Sequence, residues 1–528
     1  MADREPRPSS PGPATEATPL LVTTARGSAA GPGAAPLPAP APAPSRDASP
    51  KRCSQWTTVN LLLLVNLVAS SAGGFTSIPL ARLVEDAVCQ DYYSRMGSRA
   101  DSGIDESMCK VEAIQSTLMT IIAVQAAAIA VAGFLCAYPW SLLADRLGRK
   151  PMLSLCLTGI ALGGSWSAVV LWFPTIFPVR LIWLESLGAL VGGGNPVAVG
   201  LLLTMLTDAS IEEERAVIFL RQNMVTVCGN LVSPTLSAFV MSRAGPWPSY
   251  FIGVGFISSS AIIVFFVPES FKAKHVIDET ATDANNDNSA KANTLWQRVK
   301  ASFSMLASPS LILLLVTCLA TLPFMASTTS FMAVFISKRY GIKLFQGGYV
   351  QTAYGLSTVL NALVILPFLS RYLISPSAPS WLRQPSEKQR DLAIGRWSAG
   401  LAVLAALVLG LAPSLVGFLI GLAVLALASG FTSMAKSIMS LYVDPVHRSR
   451  LFGVVGMIEI LGAVYASPVL AGLYSFGMKL GGAWIGLPYF GLAVLMMIVT
   501  VLLVLVKVPR PASDDDNDAA SRGREHQD

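Results

Sequence analysis

The sequence contains little charge. Only 13% of its 528 residues are Asp, Glu, Lys or Arg, whereas a soluble globular protein carries about 25% of these residues. In contrast, 53% of the residues are hydrophobic and the mean hydropathy is +0.56. Because so few charged side chains cannot cover a soluble surface of this size, the composition excludes an ordinary soluble protein and predicts a polytopic membrane protein.

Residues for catalysis and metal binding are also scarce. The chain has three His, and its His, Cys and carboxylate residues form no cluster at metal-ligand spacing. It has no Gly-rich loop with a Lys that could cradle phosphates, and no Ser, His and Asp grouping. We therefore expect no metal, no cofactor, no enzyme and no ATP-driven motor, although a partner subunit could supply a motor. The net charge is +6, but the basic residues are spread over short loops and form no stripe, so we expect no nucleic acid partner.

Long hydrophobic runs are what the sequence does contain. Most are long enough to cross the roughly 30 Å of a bilayer's hydrocarbon core as a helix, and together they give about twelve spans. An even number of spans places both termini on one side, and the excess of Arg and Lys in the loops on that side predicts that it is the cytoplasm. The runs are Trp56–Leu80, Ile114–Trp140, Pro151–Trp172, Leu181–Leu206, Ala216–Met241, Tyr250–Val267, Leu311–Ile336, Gly347–Leu369, Trp397–Leu411, Leu415–Tyr442, Leu451–Phe476 and Ala483–Val506.

The polar segments divide the chain into five parts. We predict a disordered Pro- and Ala-rich tail at 1–54, a six-helix bundle at 55–270, a cytoplasmic linker at 271–308, a second six-helix bundle at 309–508 and an acidic disordered tail at 509–528. The segment Glu16–Leu21 looks like an acidic dileucine sorting signal for a vacuole or lysosome, or is a chance match in a low-complexity tail. The expected location is therefore the plasma membrane or the vacuolar membrane.

The two predicted bundles share a weak repeat. The fourth span ends in Asp208 and the fifth contains Ser233-Pro234, while the tenth ends in Asp444 and the eleventh contains Ser467-Pro468. Two related halves in the same orientation are the parallel repeat of a class of secondary transporters. The repeat therefore predicts an all-α fold of two pseudo-symmetric bundles.

The loop between the second and third spans is short and mostly basic. Its sequence, Asp145-Arg146-Leu147-Gly148-Arg149-Lys150, resembles the signature of the major facilitator superfamily, which joins the same two helices. The resemblance implies a cytoplasmic latch in which Asp145 meets the positive end of the eleventh helix. The predicted latch consists of Asp145, Arg146, Gly148, Arg149, Lys150, Asp208, Arg215, Arg448 and Arg450.

The loop predicted after the first span contains Cys89 and Cys109. Because the outer face is oxidising, we predict a disulfide between them, with two free thiols as the alternative. The residues from Ile78 to Glu85, followed by Cys89 and Tyr92-Tyr93, resemble a fungal branch of the same superfamily. That branch is also distantly similar to proton-coupled folate carriers.

Polar residues inside predicted spans are expensive unless they face a partner or water. Amide or charged residues occur in seven of the spans and are missing from the interiors of the third, sixth, ninth and twelfth, which we expect to face lipid. The others can surround a cavity, with aromatic and Met residues of the seventh and tenth spans as its apolar wall. The predicted polar lining, each member of which could instead join two helices, is Asn66, Asn195, Asn223, Gln351, Lys436 and Glu459.

Three charged residues are candidates for proton coupling. Glu459 is the first, because a carboxylate in a low-dielectric site can exchange a proton near neutrality, although it could equally be a structural partner of Lys436. Glu185 is the second. Arg180 resembles the arginine of a second family motif that is tied to proton handling, and a plain interfacial arginine is the alternative.

The expected function is secondary active transport of a small organic solute by a monomer with alternating access, driven by protons. Gly229–Pro234 resembles a degraded form of the motif of proton-coupled drug exporters, or is only a packing kink. This motif favours efflux, whereas the folate-carrier similarity favours uptake by symport. A nutrient sensor or receptor on a transporter scaffold is the alternative from another class. The expected partners are thus the solute, protons and the lipid bilayer.

Overall fold

The computed structural model describes residues 49–96, 105–210, 215–268, 309–374, 379, 387–440, 442 and 448–506. The chain divides into Met1–Pro50 and Lys51–Asp528, and of the first unit only the last two residues are described, as the start of a helix. The predicted tail as far as residue 48, with its sorting signal, the linker at 271–308 and the acidic tail at 509–528 therefore lie outside the described residues, as does Asp444, whereas residues 49–54 of the predicted tail begin the first helix.

Twelve helices in the described part are long and apolar enough to cross a membrane, which confirms the predicted number of spans. The described residues form no strand, so the fold is all-α. The helices are α1 Ser49–Arg95, α2 Glu112–Leu147, α3 Arg149–Trp172, α4 Val179–Asp208, α5 Arg215–Ala244, α6 Pro246–Phe266, α7 Pro309–Thr328, α8 Gln346–Leu373, α9 Glu387–Leu411, α10 Leu415–Met439, α11 Arg448–Leu480 and α12 Gly482–Leu505.

The helix pairings show two bundles related by pseudo-symmetry. Within the first bundle α3 packs on α6, and within the second α9 packs on α12. Between the bundles α2 packs on α11 and α5 packs on α8. Exchanging the bundles converts one of these interfaces into the other, as a parallel repeat requires. The chain turns at Gly148 at one end of the molecule, here called the Gly148 end, and the opposite end is called the disulfide end.

The first helix is longer than predicted. Residues 81–95, expected to be part of a polar loop, continue α1 as a helix. Arg82 pairs one turn on with Glu85 at 2.6 Å and with Asp86 at 2.8 Å, so the charges compensate each other along the helix. Val84 and Val88 are buried on the same helix, which gives the extension an apolar face. The loop prediction failed because it treated charge as a sign of irregular structure.

The fourth span is interrupted partway along its length and is not one continuous helix. It consists of a 3-10 turn Val179–Glu185, a short helix Ser186–Leu190 and a helix Gly194–Asp208. Three successive glycines at the break have φ of 151, 90 and 66°, a backbone region that favours glycine. A Cβ on the first of them, Gly192, would lie 2.5 Å from Cys156 Cα of α3. The glycines therefore allow both the break and the close packing.

Two helices of the second bundle are also irregular. The seventh span is interrupted after Cys318, and the carbonyl of Leu319 accepts a hydrogen bond from Tyr465 Oη of α11 at 2.7 Å. In α8 a π-helical turn, Asn361–Ile365, places Asn361 Nδ2 3.0 Å from the carbonyl of Ala426 in α10. The carbonyl of Leu319 is thus satisfied by a neighbouring helix, as backbone at membrane depth requires, whereas the Asn361 side chain satisfies a backbone carbonyl of α10.

Aromatic side chains fill the core of the second bundle. The helix that follows α7, Ser330–Tyr340, provides two of them, and their rings meet others from α10, α11 and α12 at centroid separations of 4.9 to 6.2 Å. This aromatic cluster consists of Phe331, Phe335, Phe418, Tyr474 and Tyr489, all of which are buried. The aromatic residues expected to form a cavity wall are therefore packed in a core.

Candidate functional site: a cavity in the first bundle and the contacts at its two ends

A cavity of about 470 Å³ lies in the first bundle. All six helices of that bundle contribute to it, and its polar groups are amides, hydroxyls and one carboxylate. It is lined by Val65, Asn66, Ala69, Ser70, Ala72, Gly73, Thr76, Ile129, Leu153, Leu157, Ile160, Glu185, Ala189, Gly194, Asn195, Ala198, Val199, Leu202, Gln222, Thr226, Asn230 and Ile257. This volume is within the range of small-molecule sites, roughly 300–1,000 Å³.

Asn66 lines the cavity as predicted and also joins two helices. Its Nδ2 donates to Thr226 Oγ1 at 2.8 Å and to the carbonyl of Gln222 at 3.2 Å, both in α5. The two helices approach closely further along, where a Cβ on Gly74 would lie 2.3 Å from Ser233 Oγ. The segment Gly229–Pro234 thus packs directly on α1, which is what a small-residue kink does.

Glu185 ends the 3-10 turn of α4, directly before the short helix Ser186–Leu190, and lines the cavity. Its Oε2 accepts a hydrogen bond from Ser167 Oγ at 2.5 Å and another from Gln125 Nε2. In the described part of the chain, no hydrogen bond is formed by its Oε1 and no Lys or Arg pairs with it. Arg180, in contrast, is exposed at the start of the same span. Of the two, the structure places only Glu185 at the cavity.

The helix that follows the break also reaches the cavity. Its first residues, Gly194 and Asn195, are among the lining residues. The first N–H groups of a helix have no partner within it, and this end of the helix carries partial positive charge. Pro196 suits the first turn because it has no N–H to satisfy. The start of this 15-residue helix can therefore face a hydrogen-bond acceptor.

Four residues predicted to line the cavity do not. Asn223 is exposed on α5, and Gln351, Lys436 and Glu459 belong to the second bundle, none of whose described residues lines this cavity. Conversely, α3 provides Leu153, Leu157 and Ile160 and α6 provides Ile257, although the third and sixth helices were expected to face only lipid. Both predictions assumed a cavity midway between the bundles, whereas this one extends into the interior of the first.

Lys436 of α10 and Glu459 of α11 form an ion pair. Lys436 Nζ lies 2.7 Å from Glu459 Oε1, and the side chains are 36% and 19% exposed. The contact does not have the geometry of a hydrogen bond. Glu459 Oε1 therefore has Lys436 as an ionic partner but accepts no hydrogen bond in the described part of the chain. The structural pairing that the sequence left open is therefore the arrangement seen, in a position that solvent can partly reach.

Part of the predicted latch is present at the Gly148 end. Arg149 Nη1 pairs with Asp208 Oδ2, which joins the start of α3 to the end of α4. Gly148 has a φ of 100°, as a tight reversal requires, Arg146 is exposed and Lys150 is partly buried. The remaining predicted members, whose side chains lie outside the described residues, are Asp145, Arg215, Arg448 and Arg450.

At the other end of the molecule a disulfide joins Cys89 and Cys109, the two residues that the sequence analysis paired. It links the end of α1 to a 3-10 turn, Glu106–Lys110. Beside it the fully buried Glu85 carboxylate lies 2.6 Å from both Arg82 Nη1 and Lys110 Nζ and accepts a hydrogen bond from Gln115 Nε2 at 2.5 Å. The disulfide and this charged network together hold the turn against the first bundle.

The same turn contacts the second bundle. Leu344 N–H donates to Glu106 Oε1 at 2.8 Å, and Lys338 Nζ donates to the carbonyl of Lys110. The other hydrogen bonds between the bundles in the described part also lie in this half of the molecule, from Ser116 to Ser475, from Thr235 to Thr352 and from Thr352 to the carbonyl of Leu231. These contacts, here called the seal, close the disulfide end, and the cavity lies on the Gly148 side of them.

Sequence reasoning did not identify the contacts of the seal. Glu106 and Lys110, which form two of them, and Arg82 and Glu85, which hold the turn, fell in a segment assigned to a loop. The available signal was the spacing of opposite charges one helical turn apart, at Arg82 and Glu85 and again at Glu106 and Lys110.

Twelve spans, pseudo-symmetric bundles and an internal cavity define a membrane transporter of the two-bundle class rather than an enzyme. The sequence profile of the Major Facilitator Superfamily matches residues 109–384, and the chain belongs to this superfamily. It is 29% identical over 440 residues to the MFS efflux pump atnC of Emericella nidulans, covering 82% of this chain and 84% of the relative.

Two further comparisons agree. The efflux pump ustT of Aspergillus flavus is 25% identical over 446 residues, which cover 79% of this chain and 82% of the relative. The crystal structure of a D-xylose-proton symporter superposes with a TM-score of 0.60 at 12% identity, covering 85% of this chain and 98% of that structure. The chain is thus similar to fungal transporters of the superfamily in sequence, and to a wider set of its members in fold.

Proposed function

We propose that the protein exports a small organic solute from the cytoplasm by alternating access, driven by a proton gradient. The observation that carries this proposal is the position of the cavity, which lies in one bundle on the Gly148 side of a seal that joins the two bundles. A solute in it is separated from the disulfide end and can enter from the other. The relatives that are named efflux pumps support the direction.

The orientation that this direction needs agrees with the distribution of charge. Arg146, Arg149 and Lys150 lie at the Gly148 end, and basic loops stay in the cytoplasm. A disulfide is stable on the opposite, oxidising face. The proposal therefore places the Gly148 end and both termini in the cytoplasm, with the disulfide end outside the cell or in the vacuole, and takes the monomer as the transporting unit.

Alternating access requires that the seal opens while the Gly148 end closes. Opening would break the bonds from Leu344 to Glu106 and from Lys338 to Lys110, which cross between the bundles. Closing would use the latch, in which Arg149 and Asp208 are already paired. In this proposal Asp145 and Arg215 of the first bundle then meet Arg448 and Arg450 of the second, which adds carboxylate and guanidinium contacts to the cytoplasmic side.

Glu459 is the proposed proton carrier. When its carboxylate binds a proton it becomes neutral, and the attraction that holds Lys436 beside it is lost. The freed ammonium can then change position, which couples the charge of this site to the arrangement of α10 and α11. Glu185 and Arg180 are the other proposed participants in proton handling, and of these Glu185 also lines the cavity.

The test uses the full-length protein and begins with identification of a solute. Comparing the small molecules inside and outside cells with and without the protein identifies the compound whose internal concentration falls when the protein is present. The purified protein in proteoliposomes should then move that compound against its gradient when a pH gradient is imposed. Movement that does not depend on the pH gradient would refute proton coupling. Accumulation on the proton-poor side would indicate uptake, and binding without transport would indicate a sensor.

A further inference from the structure

We propose that the cavity of the first bundle selects solutes that carry an ammonium group, which Glu185 binds, together with a carbonyl or hydroxyl group near the start of the helix Gly194–Asp208. This inference rests on the proposed transport function, and it adds the chemical class of the solute. It follows from the charge balance of the cavity and from the partners of its one carboxylate.

Glu185 is the only charged residue among the described residues that line the cavity. Its two hydrogen-bond donors, Gln125 and Ser167, are both neutral and both bind Oε2. An ionised carboxylate at membrane depth is costly unless a cation compensates it. Its other oxygen, Oε1, has lone pairs for further donors, so the site has room for a cation that the described part of the protein does not supply.

Two other carboxylates within the spans, Glu85 and Glu459, show what Glu185 lacks. Glu85 has Arg82 and Lys110 at 2.6 Å, and Glu459 has Lys436 at 2.7 Å. In the described part of the chain these carboxylates are thus paired with protein cations, whereas Glu185 faces a cavity. We therefore assign the missing positive partner of Glu185 to a solute bound in that cavity.

The rest of the lining fits an amine and not an acid. None of the described residues that line the cavity is Lys, Arg or His, so a carboxylate or phosphate on a solute would find no positive side chain. The amides of Asn195 and Asn230, and the N–H groups at the start of the helix at Gly194, can instead bind a carbonyl or hydroxyl oxygen. Leu157 and Ile257 provide an apolar surface for the solute's skeleton.

Matched pairs of compounds test the ammonium requirement. The full-length protein in lipid nanodiscs is screened by thermal unfolding against a panel of primary amines with carbonyl groups, the N-acetyl derivative of each amine, and carboxylic acids with the same skeletons. We expect some amines to raise the unfolding temperature, and their N-acetyl derivatives to bind at least about tenfold more weakly, because a charge-assisted hydrogen bond is lost.

Substitutions connect this preference to Glu185. Glu185→Gln keeps the size of the side chain and should remove the difference between each amine and its N-acetyl derivative. Glu185→Asp keeps the charge and should retain the preference with lower affinity. Asp391→Asn, the same carboxylate-to-amide change at a residue paired with Arg390 in the second bundle, is the matched control and should bind as the unaltered protein does.

The outcomes separate this inference from the proposed function. It is overturned if the stabilising compounds are acids, if N-acetylation leaves affinity unchanged, if no amine stabilises the protein, or if the Glu185→Gln variant keeps the preference. Binding of amines without pH-driven movement would refute the transport proposal and leave the ammonium site standing. Export of an acid would refute the ammonium site and leave the transport proposal standing.

Discussion

Lys436 Nζ lies 2.7 Å from Glu459 Oε1, and this ion pair joins two adjacent helices of the second bundle in a partly exposed position. A pair of this kind contributes less to stability than a fully buried one, because solvent screens it. Loss or gain of a charge at either residue nevertheless changes the electrostatic energy of this membrane-embedded site. The proposed role of Glu459 in proton coupling depends on this contact.

The first prediction concerns this pair. Glu459→Gln should abolish the pH dependence of accumulation while exchange of solute across the membrane continues, because the carboxylate that binds the proton is gone. Accumulation and counterflow in proteoliposomes measure the two activities separately. The double variant Lys436→Gln/Glu459→Gln should unfold at a higher temperature than Glu459→Gln alone, since no unpaired ammonium remains. Full pH-driven accumulation by Glu459→Gln would remove this residue as the carrier.

The second prediction concerns the ion pair between Arg149 and Asp208 at the Gly148 end. Asp208→Asn should slow transport several-fold, while the free energy of unfolding changes by only about 0–1 kcal/mol, as is typical of a partly exposed pair. Initial export rates and thermal unfolding of the same preparation measure the two effects. The exchanged pair Arg149→Asp/Asp208→Arg should recover part of the rate. An unchanged rate in the single variant would exclude this pair from the latch.

The third prediction concerns Cys89 and Cys109. Alkylation of denatured protein without reductant should modify the other Cys residues only, and prior reduction should add exactly two alkyl groups by mass. The variant Cys89→Ser/Cys109→Ser should show the same mass with and without reductant. It should also transport less well, because Glu106 and Lys110 of the seal would be held to α1 by ion pairs alone. A mass difference of zero in the unaltered protein would exclude the disulfide.

The fourth prediction uses two glycines of α4. Gly192→Ala should lower the unfolding temperature, because the residue has a φ of 151° and the new Cβ would meet the backbone of Cys156 at 2.5 Å. Gly200→Ala is the matched control, because that glycine is helical and has open space around its Cβ position. It should leave stability unchanged or raise it by up to about 1 kcal/mol. Equal effects in the two variants would show that the break is not held by Gly192.

The sequence was sufficient for the architecture because the hydrophobic runs and the loop at Gly148 are local signals. The twelve spans follow from run lengths, and the pairing of Cys89 with Cys109 follows from their shared loop. The place of Glu185 did not follow. Its depth depends on how the helix breaks at Gly192, and its partners Gln125 and Ser167 come from two other helices.

The extent of the cavity was equally hidden from the sequence. Polar residues such as Asn223 and Gln351 were assigned to it because they lie within spans, but which way a side chain faces depends on how each helix is rotated. Leu153 and Ile257 line the cavity without any polar signal at all. Tertiary packing sets the rotation of each helix and the lining of the cavity, and neither can be read from the hydrophobic pattern of one sequence.

Among the described residues the cavity is lined only by helices α1–α6. Under the proposed function, substitutions in that half would change the compounds accepted, whereas the rings of Phe335 and Tyr489 are packed in the core of the second bundle. A chimera that takes its first six helices from a related pump should inherit that pump's ligand preferences. Sequence differences that change the specificity of such proteins would then be concentrated in the amino-terminal half.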